Sequence, residues 1–185
     1  MCGIFGLLAS SKSKYSQEFL SNSFIRLANL SETRGKDSSG ICTLDKNLNT
    51  INILKGPIPV QKIIKEDLFK ESLSVAFRKN NYAKFAFGHS RLVTNGSQLS
   101  NINNQPISKN GLVAVHNGII ANVDDLWSQY SDIVKESEID TEILLALIRK
   151  ELSDQKTLKE AIVHSMNKIE GTVSLALTLN KLFTT

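Results

Sequence analysis

Apolar residues fall into several distinct patterns along the chain. Cys2–Ala9 is a short, nearly continuous apolar run, which predicts a buried strand. From Ser16 to about Leu30, Phe19, Leu20, Phe24, Leu27 and Leu30 recur three and four residues apart and predict an amphipathic helix. Gly40–Asp45 and Thr50–Leu54 read as a hairpin around Lys46–Asn49, after a polar turn at Arg34–Gly40. The stretch from Gly56 to about Lys79, entered through Pro57 and Pro59, is mixed and mainly helical. Strand-like runs return at Lys84–His89 and Leu112–His116, separated by Thr94–Gly111, whose Asn, Gln, Ser and Gly content predicts loop. Asn122, three residues before Asp125, is placed to cap a short helix through Leu126 and Trp127. A longer helix opens at Asp140 or Thr141, with Ile143, Leu144, Leu147, Ile148 and Leu152 on one face. Thr157 and Glu160 form a capping box for a further helix, ended by Gly171. Val173, Leu175, Leu177 and Leu179 then alternate with small and polar residues, as in a half-buried strand.

Strands and helices in mixed blocks favour layered α+β packing over a doubly wound parallel sheet. No repeat or linker divides the chain, so one domain over residues 1–185 is expected. A composition of 41% hydrophobic and 22% charged residues is that of a globular protein and excludes a disordered or collagen-like chain. No apolar run reaches the roughly 18 residues of a membrane span, and no basic region precedes the first apolar run as in a signal peptide. A cytoplasmic protein without membrane contact is expected. The 22 Lys and Arg exceed the 18 Asp and Glu by a mild +4, spread along the chain; with no basic cluster, no nucleic-acid partner is expected. Cys2 and Cys42 are too few for a disulfide framework or zinc site, and His89, His116 and His164 lack helical ligand spacing. Neither a metal nor another cofactor is expected.

The position of one thiol changes the picture. Removal of Met1 would leave Cys2 with a free α-amino group, whose reference pKa of about 7.7–8.0 lies close to the thiol's, about 8.5. Nucleophile and base would then sit on one residue; the plainer reading is a small residue starting a strand. Arg91 falls where a strand gives way to a loop, and a guanidinium there suits a substrate carboxylate, unless it is a surface arginine. Asn117 and Gly118 offer an amide and a backbone N–H to a single oxyanion, although Asn-Gly is also a common tight turn. Asp140, at a helix mouth, either caps that helix or binds an ammonium group. Together these are the groups needed to hydrolyse the side-chain amide of a free amino acid such as glutamine.

The segments Met1–Gly6, Arg34–Gly40, Gly88–Gly96, Asn104–Pro106, His116–Asn122 and Asp140–Glu142 recur, in this order, in a known family. Through them the sequence resembles the glutaminase domain of class II, N-terminal-nucleophile glutamine amidotransferases, most of all the glucosamine-6-phosphate synthase branch. Its Asn-Gln-Pro element is closer to amidophosphoribosyltransferases. The resemblance implies a four-layer αββα sandwich with Cys2 at the end of a central strand. It implies Cys2 as nucleophile and its amine as base, Asn117 and Gly118 as the oxyanion hole, and Arg91, assisted by Thr94, on the glutamine α-carboxylate. Asp140 would hold the α-ammonium, and Arg34 with Asp37 would brace the site. Leu92, Asn95 and Lys36 depart from the Trp, His and Tyr usual in that branch, at the loop that seals the site.

The implied partners are L-glutamine and an ammonia-accepting synthase domain or subunit; homo-oligomerisation is left open. A domain cut short at its C-terminus, without an acceptor domain, is expected. A non-catalytic glutamine-sensing module is the alternative from another class, and an amidase for a different small amide is a third. Neither nucleophile nor oxyanion hole is needed for binding alone.

Overall fold

A computed structural model describes residues 2–45, 50–81, 83–93 and 96–180. In chain order the elements are β1 (Gly3–Ser10), α1 (Gln17–Ser31), β2 (Ser38–Asp45), β3 (Thr50–Gly56), α2 (Val60–Ile63), α3 (Asp67–Ala76) and β4 (Ala83–Arg91). They continue with β5 (Ile107–Lys109), β6 (Leu112–Ile120), α4 (Val123–Gln129), α5 (Thr141–Ser153), α6 (Leu158–Met166) and β7 (Gly171–Leu179). All strand pairs are antiparallel, in one sheet ordered β1-β4-β2-β3 and a second ordered β5-β6-β7.

Alternation along the strands sorts side chains into three cores. Phe5 of β1, Ile41 of β2 and Ala86 of β4 face α1, α2 and α3, where Phe24 and Phe69 are fully buried. The rings of Phe5 and Phe24 lie 5.3 Å apart, and truncating a buried Phe of this kind costs about 3–5 kcal/mol. The opposite faces of the same strands carry Cys42 and Phe87, which meet Val113 and Val115 of β6 in a central core. The far face of the second sheet packs Leu112, Ala114 and Ile120 on Ile143, Leu144 and Leu147 of α5. Helix, sheet, sheet, helix is the resulting order: a four-layer αββα sandwich.

Most predicted elements are present, with informative differences. The turn of the first hairpin lies outside the described residues. Arg34–Gly40 is not all turn, because Ser38 to Gly40 already belong to β2 and are buried beside β4. Thr94–Gly111 was expected to be loop, but Ile107–Lys109 pairs with β6 as β5. The Thr157 capping box forms, yet α6 ends at Met166; Gly171, at φ 138°, starts β7 instead. Asn122 takes the N-cap position of α4 as expected, but its side chain does not cap: its amide donates to Lys168 O at 2.9 Å and accepts from Glu170 N at 3.0 Å, fastening α4 to the start of β7. Finally, among the described residues β1 lies at the edge of its sheet, not at its centre, and Leu8 upon it is 74% exposed.

Candidate active site

The β1–β4 ladder assembles the centre of the site. Gly3 pairs with Ser90, so continuing that register sets Cys2 abreast of Arg91. The Cys2 carbonyl accepts hydrogen bonds from Arg34 Nε at 2.9 Å and Asn117 Nδ2 at 3.1 Å, and its thiol points toward Leu92 O at 3.5 Å. These contacts fix the backbone of Cys2 and leave Sγ half-buried at a cavity wall. The second thiol is chemically remote: burial in the central core pushes Cys42 up to about 12.

The turn after α1 closes on this ladder. A Cβ on Gly35 would stand 2.3 Å from the carbonyl carbon of Arg91, so only glycine allows the turn to touch the end of β4. Asp37 then bridges both sides of that end, its N–H donating to Arg91 O at 3.0 Å and its Oδ2 accepting from Val93 N at 2.7 Å. Arg34 and Asp37 thus hold Cys2 and the segment after Arg91, respectively.

Arg91 is 4% exposed, and its guanidinium donates to Asn103 O at 3.0 Å, Asn104 Oδ1 at 3.4 Å and Gly96 O at 3.4 Å. Burial lowers its pKa, while Cys2, Asp140 and Asp37 oppose that shift. It remains charged, as Arg does in proteins. Beneath it His89 is fully buried; burial, then Arg91 and His116, push it down to about 3, so it stays neutral. The histidines His89 and His116, far apart in sequence, are therefore neighbours in space, yet no group of His, Cys, Asp or Glu among the described residues could hold a metal.

Asn117 and Gly118 do not end β6 in a turn; they lie within it, opposite Ser174 and Val173 of β7. Gly118 has φ 156°, and a Cβ there would stand 1.9 Å from Thr172 O. This close approach excludes every other residue. Asp140 takes the N-cap position of α5, but its side chain does not cap that helix. Its Oδ2 accepts from Ile120 N at 3.1 Å, and Oδ1 lies 3.4 Å from His116 Nδ1, which also meets Thr141 Oγ1 at 3.3 Å. The carboxylate is thereby tied to β6 and turned toward the cavity. Nearby, burial pushes the Glu142 carboxyl up, but hydrogen bonds from Lys109 and Ser137 outweigh it and hold the group below its ordinary value. That ion pair fixes the loop leading into Asp140.

One residue escaped the sequence reading. Ile107 pairs with Ala114, and the same register continued by two places sets Gln105 opposite His116. Its side chain does what the backbone ladder would do: Oε1 accepts from His116 N at 2.5 Å, and Nε2 donates to His116 O at 2.9 Å. Lys55 Nζ grips the carbonyls on either side of it, Asn104 O at 2.7 Å and Pro106 O at 3.0 Å. Nothing in the Gln-Pro dipeptide announces this; the strand register is needed to see it.

These side chains surround one cavity of about 240 Å³, lined by Cys2, Arg91, Gln105, Asn117, Gly118 and Asp140 among others. It presents a thiol, a cation, an anion and amide donors, and has room for a small molecule only. Thr94 lies outside the described residues.

A family model described as a glutamine amidotransferase domain matches residues 89–182, just over half of the chain. The chain is 32% identical over 181 residues to the isomerizing glutamine–fructose-6-phosphate aminotransferase of Thermococcus kodakarensis, and 30% over 179 residues to that of Oceanobacillus iheyensis. In both cases 96% of the chain is covered, and it spans 27% of the relative's length. Among solved structures, the allosteric regulatory enzyme of purine biosynthesis is similar with a TM-score of 0.71 and 26% identity, over 97% of this chain and 36% of that one. Glutamine phosphoribosylpyrophosphate amidotransferase from B. subtilis shares the fold at a TM-score of 0.68 and 24% identity, over 97% of this chain and 35% of that one. The α+β sandwich is thus of the N-terminal-nucleophile hydrolase type. With sequence and architecture pointing the same way, the chain belongs to the glutamine amidotransferase domain family.

Proposed function

We propose that the domain hydrolyses L-glutamine to glutamate and ammonia, and that the ammonia serves an acceptor bound in a further domain or partner. A sugar phosphate is the acceptor suggested by the names of the relatives at 30–32% identity. The observation that carries the reading is the cavity itself, which Cys2 lines together with the opposite charges of Arg91 and Asp140. That pairing of cation and anion suits the zwitterionic head of an α-amino acid, with its side chain directed at the thiol.

In this mechanism Met1 is removed and the freed α-amine of Cys2 takes the thiol proton. Sγ attacks the side-chain carbonyl carbon of glutamine. Asn117 has two amide protons; one is held by the Cys2 carbonyl, which orients the group, and the other is available to the developing oxyanion beside the N–H of Gly118. Collapse of the tetrahedral species breaks the C–N bond, and the amine of Cys2 returns the proton to the departing ammonia. Water then adds to the γ-glutamyl thioester by the reverse sequence, releasing glutamate and restoring the thiol. Glutamine and water are consumed, and glutamate and ammonia are produced.

Intact mass with a glutamate-release assay tests the scheme. The purified chain is expected to lack Met1 and to turn glutamine over, and Cys2→Ala is expected to lose all measurable turnover. A sample that keeps Met1 yet hydrolyses glutamine normally would overturn the free-amine mechanism. Glutamine binding without turnover in Met1-free protein would support a sensor instead.

A further inference from the structure

A second cavity, of about 600 Å³, opens at the other end of β1 and β4. The eight residues of β1, at roughly 3.4 Å each, set it about 25 Å from Cys2. Lys14, Lys79 and Lys84 line it together with Ser13, Ser16 and Tyr15, and no acidic side chain does. Lys84 is the unusual member. It lies on β4 next to Ala9 of β1, is only 3% exposed, and makes no hydrogen bond or ion pair among the described residues. The β2–β4 register continued two places sets the buried Asp45 abreast of it, but no ion pair joins the two. A buried ammonium whose donors meet no acceptor is costly, so a lysine is rarely placed there unless something binds it.

A second, independent feature points the same way. The N-terminus of the 15-residue helix α1 enters this cavity through Ser16 and Gln17. Ser16 Oγ already accepts from Phe19 N at 3.1 Å, and the remaining first-turn N–H groups present the positive end of the helix dipole. Tyr15 stacks on Phe19 with ring centroids 4.8 Å apart, giving the cationic wall an apolar neighbour.

We infer that this cavity is a binding site for a phosphorylated small molecule, with Lys84 as the buried anchor, Lys14 and Lys79 as flanking cations, and the start of α1 as a further donor surface. A volume of about 600 Å³ falls within the ordinary range for small-molecule sites and exceeds what a bare oxyanion fills. The site is independent of the glutamine reading: none of its residues lines the first cavity.

Isothermal titration of the full chain with inorganic phosphate, pyrophosphate and glucose 6-phosphate tests the assignment. At least one of them is expected to bind, and Lys84→Met is expected to weaken it about tenfold or more, the effect of losing one charge-assisted contact. Lys84→Arg is expected to retain most of the affinity, and basal glutamine turnover is expected to be unchanged in both. Should Lys84→Met not fold, the double variant Lys14→Gln/Lys79→Gln, altered only at exposed positions, is expected to weaken binding by about threefold or more. No binding of any of the three probes up to about 10 mM, or undiminished affinity in the folded variants, would overturn the proposal.

Discussion

Arg91 and Lys84 are two buried cations at opposite ends of the same strand, 4% and 3% exposed, and their surroundings differ in kind. Arg91 is enclosed by the carbonyls of Asn103 and Gly96 and the side chain of Asn104, and Asp37 and Asp140 support its charge. Lys84 faces a cavity lined by hydroxyls and other lysines, with no acidic side chain in that lining, and the buried Asp45 that the β2–β4 register sets abreast of it makes no ion pair with it. A cation held in one orientation by fixed acceptors offers geometry, the property needed to set a substrate at a nucleophile. An unsatisfied cation offers affinity. One strand thus carries both uses of buried positive charge, and each can be altered separately.

The sharpest break in the contrast is Arg91→Lys. The planar fork that spans Asn103, Asn104 and Gly96 cannot be reproduced by a point charge, so KM for glutamine is expected to rise on the order of 100-fold in steady-state assays. The same cation-to-cation exchange at Lys84 should leave phosphate binding nearly intact. Next comes Asp140→Asn, which keeps the hydrogen bond to Ile120 N but removes the charge; KM is expected to rise about tenfold, and a kcat loss without a KM change would refute its ammonium-binding role. A smaller effect is expected of Gln105→Ala. It leaves the backbone groups of His116 unpaired next to Asn117, and kcat should fall several-fold more than KM changes.

The gentlest probe is pH. Burial lowers Lys55 to about 8, against 10.5 for the ordinary side chain. Below pH 8 folded and unfolded chains both hold the proton. Between about 8 and 10.5 the unfolded chain keeps a proton that the folded one has lost, so this group makes stability rise with pH. Denaturant midpoints measured from pH 8 to 10 should therefore climb more in the parent than in Lys55→Met; parallel curves would show that the lysine is not linked.

The sequence announced these features unevenly, for physical reasons. Alternation in β7 and three- to four-residue spacing in α1 and α5 are local signals, and those elements lie where expected. Cys2, Arg91, Asn117, Gly118 and Asp140 sit in short motifs, and the fold gathers them on one cavity. Who holds whom was hidden. Asp140 was weighed as a helix cap, but its partner Ile120 lies 20 residues away on another element. Gln105 acts through a strand register that a Pro and a three-residue strand obscure. Lys55 and Lys84 look like any solvent-facing lysine until the strands that bury them are paired.

The edge position of β1 sets a schedule for synthesis. Among the described residues its one strand partner is β4, whose last residue, Arg91, is made about 90 residues after Cys2. At ~5–20 residues per second, the segment around Cys2 waits on the order of 5–20 s before its strand partner exists. The proposed removal of Met1 has that interval in which to occur. A topology with β1 paired to its immediate successor would have closed over the cysteine first.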